Sequence, residues 1–101
     1  MSSREAIMVR IYLSEADHTL NALLKYLHDQ ARVKGVTVFR AIAGYGQSGK
    51  LHSTRLVDLS LDLPLVVEFF DQPARIEEVL PDLGNLVRPD HIVTWKVQLP
   101  T

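Results

Sequence analysis

No cysteine occurs among the 101 residues of the chain. That excludes disulfides, thiolate metal sites and cysteine nucleophiles, and it permits a cytosolic address. A basic surplus is missing too, since 11 Lys and Arg stand against 12 Asp and Glu. Proteins that hold duplex nucleic acid draw most of their non-specific affinity from neutralised phosphates, so no nucleic-acid partner is expected. Apolar runs stop after a few residues, far short of the ~20 that a membrane helix needs, and any membrane involvement has to come through a partner. The start, Met1-Ser2-Ser3-Arg4-Glu5, has no apolar stretch ahead of a small-residue cleavage site, so no signal peptide and a cytoplasmic protein are expected. Glycine is scarce, with 5 in the chain, yet Gly44, Gly46 and Gly49 fall close together at the exit of an apolar run.

What is present is ordinary globular composition, 47% apolar and 23% charged, which predicts one domain over residues 1–101. Ile7, Val9, Ile11 and Leu13 alternate with Met8, Arg10 and Tyr12, the period of a half-buried strand. Ser14 is placed to cap a helix, with Glu15 and Asp17 at its positive end. Leu20, Leu23, Leu24, Leu27 and Ala31 share one helical face, and the spacing predicts a helix to about Val33 that Gly35 stops in the left-handed conformation. Residues 36–43 read as a second strand, apolar on both faces and therefore covered on both. Residues 47–60 read as a loop of a length more often functional than structural. A third strand over 61–70 contains Pro64, which points to an edge or a bulge. Asp71 is placed to cap a second helix, with Pro73 in its first turn and Ile76, Val79, Leu80 and Leu83 on its buried face. Pro81 is expected to bend or break that helix near its end. Residues 84–91 form a connector, and 92–99 a fourth strand carrying Trp95, which is core or interface.

The order β-α-β-β-α-β predicts an α+β, ferredoxin-like sandwich, a four-stranded antiparallel sheet with both helices on one face. The helices cover one side of such a sheet only, and the other must accommodate Met8, Tyr12, Val66 and Phe70. An apolar patch of that kind is a partner surface, and a closed ring of identical copies is the simplest occupant.

The stretch "GVTVFRAIAGYGQSGKLH", followed by "LDLPLVVEFF", resembles the signature of the PII-like superfamily, in which a strand runs into Gly-aromatic-Gly, a long loop and a returning strand. It is more similar still to domain-of-unknown-function family 190, whose members share the length, the "GYGQSGKLH" segment and a Leu-Pro pair near the end of the second helix. The resemblance implies a homotrimer whose subunit clefts bind a small anionic ligand, usually an adenine nucleotide, with no required cofactor. It also implies a mobile loop that signals occupancy to a target, often a membrane transporter, and in this branch a channel of the fluoride-export type. The residues that fit the nucleotide motif are Gly44, Gly46, Gln47 and Gly49, with Lys50 beside them. Bare glycine N–H groups approach a phosphate closely and lysine adds a point charge. A second region, "GNLVRPDH", stands where the superfamily has its other phosphate loop, and Arg88 and His91 are its anion-reaching side chains. PII proteins carry two further arginines beyond the last strand, whereas this sequence ends at Pro100-Thr101. The expected ligand is therefore a nucleotide with fewer phosphates than three, another small anion, or none, the last leaving a ligand-free trimeric interaction module. No tyrosine lies between Gln47 and Ser60, which excludes tyrosine uridylylation there, while Ser48, Ser53, Thr54 and Ser60 are ordinary loop hydroxyls.

Sharper chemistries find less support. The arginine loop of acylphosphatases follows the first strand, but Arg40 lies in the second, where a salt-bridge or interface role fits better. His18, His28, His52 and His91 are too dispersed for the close-spaced pairs of most metal sites, although a metal-tolerance family shares this fold. The spacing in "GQSGKL" is wrong for a P-loop and no catalytic triad can be traced. The protein is read as a non-enzyme.

Overall fold

The computed structural model describes residues 1–44, 52–53 and 63–101. Its frame is a four-stranded antiparallel sheet in the order β2-β5-β1-β6, made of β1 (Ser3–Ser14), β2 (Thr37–Arg40), β5 (Pro64–Asp71) and β6 (Ile92–Pro100). A second, two-stranded ladder joins β3 (Ala43–Gly44) to β4 (His52–Ser53). The helices are α1 (Leu20–Lys25), which continues as a π-helical stretch over Tyr26–Ala31, and α2 (Pro73–Leu86). The order and the α+β class are those expected from the sequence.

β1 is central because its alternation serves two neighbours at once, pairing with β5 over residues 7–14 and with β6 over residues 3–11. Val9, Ile11 and Leu13 lie against Val67, Phe69 and Leu65 on one face. The helices close over that face with Leu23, Leu27, Ala31, Ile76, Val79 and Leu83, and all of these side chains are buried. Burial of each large aliphatic group is worth roughly 1.5–3 kcal/mol.

Several expectations are corrected. Ser14 caps a 3-10 turn, Glu15–Asp17, with a reciprocal bond from its own N–H to Asp17, and the helix proper begins only at Leu20. The left-handed stop is Arg32, at φ 55°, and not Gly35. Here the π-helical winding brings the Arg32 N–H to the Leu27 carbonyl and ends the helix early. The second strand is short, and Thr37–Arg40 is exposed along its length, since it forms the outer edge of the sheet and, among the described residues, no element covers it. The loop expected at 47–60 includes β4. Pro64 stands in an interior strand; it is tolerated as the first residue, where a missing N–H costs least. Gln72, not Asp71, occupies the N-cap of α2; Asp71 instead accepts the Gln72 N–H at 2.7 Å. α2 runs through Pro81 to Leu86, so residues 84–86 are helix and not connector. Pro81 faces solvent while Val79 and Leu83 anchor the turns on either side of it.

Candidate functional site

β1 and β2 end, and β5 and β6 begin, at one end of the sheet. At the β2 edge of that end, the two limbs of the segment between residues 44 and 63 are tied at their roots. The Ala41 N–H donates to the Pro64 carbonyl at 2.9 Å, and the Glu15 N–H to the Leu63 carbonyl at 3.2 Å. Arg40 forms an ion pair with Glu15. The Glu15 oxygen facing Arg40 is buried and makes no hydrogen bond of good geometry, so the contact is ionic. The salt-bridge role expected for Arg40 is thus present, whereas Glu15, read from the sequence only as a helix-end charge, was missed as its partner.

Gly44 has φ 156°, and a Cβ there would stand 3.1 Å from Cγ of Pro64. A glycine is required for the chain to leave β2, pass this close to Pro64 and pair with His52. Gly46, Gln47, Gly49 and Lys50, the other members of the glycine-bearing motif, lie outside the described residues, as does most of the 47–60 segment.

Arg88 and His91 sit at the same end of the sheet but beside the opposite edge. α2 closes at Leu86, Val87 returns to the core, and a 3-10 turn, Pro89–His91, feeds β6. The His91 N–H donates to the Arg88 carbonyl at 2.9 Å, which fixes the turn. Arg88 donates to Asp90 at 3.1 Å, and His91 Nε2 lies 4.0 Å from the other oxygen of the same carboxylate. An anion arriving here meets two cationic or protonatable groups that already share Asp90. The Arg88 guanidinium remains mostly exposed, with donors to spare in its fork. Gly44 and the Arg88–His91 turn are not brought together within one chain, since three inter-strand spacings of about 4.8 Å separate the β2 and β6 edges.

Among the described residues, no element covers the sheet face away from the helices. Tyr12, Phe39, Phe70, Val93 and Trp95 all project there, each 38% to 51% exposed, with Met8, Val66 and Val97 among them. Arg10 and Glu68, direct cross-strand partners, form an ion pair in the middle of this face. The Arg10 guanidinium lies 5.1 Å from the centre of the Trp95 ring, and hydrogen bonding to Tyr12 and Glu68 raises its already high pKa. On the helical side, a groove of about 450 Å³ is lined by Lys25, Tyr26, Asp29, Gln30, Asp82 and Asn85, with none of the expected ligand residues among them. Tyr26 donates to Asp82 at 2.8 Å; burial and then this bond push its hydroxyl up to about 12. Among the described residues no group of three metal-ligating side chains occurs, and no helix is long and apolar enough to cross a membrane. His28 is engaged by Asp29 at 2.7 Å.

This frame, with its tied loop roots and open sheet face, is the PII-like fold. CPII, a nitrogen regulatory PII-like protein from Thiomonas intermedia K12 bound to ADP, AMP and bicarbonate, is similar over 99% of this chain and 92% of its own, with a TM-score of 0.70 at 17% identity. A PII-like signaling protein from Thermus thermophilus is similar over 98% and 91%, with a TM-score of 0.63 at 18% identity. In sequence, a UPF0166 protein of Aquifex aeolicus is 37% identical over 81 residues, 75% of this chain and 76% of that protein. The model of the DUF190 family, described as "Uncharacterized ACR", matches residues 6–99. The chain belongs to the DUF190 family, and its fold is that of the PII-like structures.

Proposed function

We propose that the protein is a cytoplasmic PII-like regulator. Identical copies associate through their open sheet faces into a trimer, bind a small anionic ligand, an adenine nucleotide, in the clefts between them, and report occupancy through residues 47–60 to a partner. The observation that carries this reading is the placement of Gly44 and the Arg88–His91 turn at one end of the sheet but on opposite edges. A cleft between neighbouring copies is the arrangement that lets one ligand use both. The apolar open face supplies a reason for copies to associate, and the ADP and AMP held by CPII supply the ligand class.

Signalling requires that the ligand favour one arrangement of the 47–60 segment over another, because equal affinity for both shifts nothing. A partner then reads the difference, and the family resemblance points to a membrane transporter or channel. No group in this arrangement is assigned a catalytic role. Isothermal calorimetry with AMP, ADP, ATP and cyclic nucleotides tests the reading. ADP or AMP is expected to bind more tightly than ATP, since Arg88 and His91 already share Asp90 and offer little free charge to a third phosphate. Arg88→Ala should weaken binding about tenfold, as for loss of one charge-assisted bond, and Gly46→Val should abolish it. Silence across the panel would overturn the sensor and leave an interaction module.

A further inference from the structure

The open sheet face is mostly apolar, yet it carries a charge pair at its centre, and that exception has a structural logic. By the strand register, β1 presents Arg4, Ala6, Met8, Arg10 and Tyr12 to this face, β5 presents Val66, Glu68 and Phe70, and β6 presents Val93, Trp95, Val97 and Leu99. Thr37 and Phe39 of β2 complete it. Arg4 lies at the outer end of β1, at the margin of the face, whereas Arg10 and Glu68 stand opposite each other at its centre, on the two inner strands. The pair forms within the protomer, and the Trp95 ring shields the guanidinium from the side.

We infer that the Arg10–Glu68 pair sets the register in which copies of this chain associate; the inference rests on the self-association proposed above. A flat apolar face is attractive but undirected, because hydrophobic burial is proportional to area and indifferent to orientation. A charge pair within that face changes the selection. Covering it with a second copy removes water and strengthens the mutual attraction of the two groups, provided that they stay together. Any docking that parts them, or wedges a side chain between them, strands an uncompensated charge. Only registers that leave the pair intact survive, in the way that one polar residue in an apolar coiled-coil seam selects register and stoichiometry. The occupant is a second copy of the chain and not an oppositely charged partner, because the two charges already neutralise each other.

Sedimentation of the whole protein over a wide concentration range tests this, with circular dichroism confirming that each variant is folded. Both side chains lie on the surface of the protomer, outside the buried core. Arg10→Met and Glu68→Gln each leave one member stranded and should raise the concentration for half-dissociation by about a hundredfold. The double variant Arg10→Met/Glu68→Leu should associate again, yet as a mixture of sizes. The swap Arg10→Glu/Glu68→Arg should restore one discrete species. Single variants that assemble as tightly as the parent, or a double apolar variant that forms one species of the parent's size, would overturn the inference. A parent protein that stays monomeric throughout would instead overturn the self-association on which it rests.

Discussion

Tyr26→Phe isolates one interaction between the two helices and gives a pH signature of its own. The ring is buried beside Leu27, and its hydroxyl donates to the Asp82 carboxylate of α2 at 2.8 Å. Phenylalanine keeps the packing and removes the bond. A bond to a charged acceptor contributes about 1.5–3 kcal/mol, but Asp82 is exposed and water replaces the lost donor, so a cost of about 1–1.5 kcal/mol is expected. For a domain of this size that lowers Tm by roughly 4–10 °C. The pH dependence follows from the hydroxyl, whose pKa rises from 10.0 to about 12 on folding. Between those values the unfolded chain has released a proton that the folded one retains, so stability falls as pH rises. The contribution is fully present below pH 10, and each pH unit above removes about 1.4 kcal/mol until the folded value is reached. Urea denaturation of parent and variant at pH 8 and pH 11 should therefore show the parent's advantage at pH 8 and its loss by pH 11. An advantage that persists unchanged at pH 11, or none at pH 8, would refute the argument.

Other changes test the backbone. Pro81→Ala restores an N–H in the middle of α2 at an exposed position, and thermal denaturation should show a gain of about 1–3 kcal/mol; a loss would mean that the ring packs productively. Gly44→Ala places a Cβ 3.1 Å from Pro64 at a backbone angle that side chains rarely adopt, and urea denaturation should show about 1–3 kcal/mol of destabilisation. An unchanged midpoint would show that the glycine serves no steric purpose there.

The sequence revealed the order of elements because alternation along residues 7–13 and the helical spacing of Ile76, Val79 and Leu83 each admit one buried face. What it concealed were features that do not alter periodicity. The π-helical winding that takes the Arg32 N–H to the Leu27 carbonyl ends the helix at Ala31, and a spacing of 3.6 does not announce it. Residues 36–43 read as covered on both faces because side chains such as Phe39 are apolar, but composition does not say whether a helix or a second copy does the covering. In the protomer Phe39 is open. At the candidate site, Gly44 and Arg88 were legible as residue types suited to an anion. Their separation on opposite edges was not, since it depends on strand order, and neither was the claim of Asp90 on both Arg88 and His91. Glu15 was legible only as a helix-end charge because its partner Arg40 is remote in the chain.

Strand order also determines how ligand and assembly must depend on one another. If the anion is held by Gly44 and its neighbours from one copy and by the Arg88–His91 turn from the next, free protomers lack half of the site. A ligand that binds the assembled form alone shifts the equilibrium towards it by mass action, and reciprocity requires that assembly strengthen ligand binding by the same factor. The measured nucleotide affinity must then fall when the protein is diluted below its own dissociation range, and saturating nucleotide must move that range to lower concentration. Calorimetry at two protein concentrations, paired with sedimentation with and without ADP, reads both sides of the linkage. An affinity that ignores dilution while the oligomer visibly comes apart would show that the ligand is held within one chain, and the cleft between copies would have to be given up as its site.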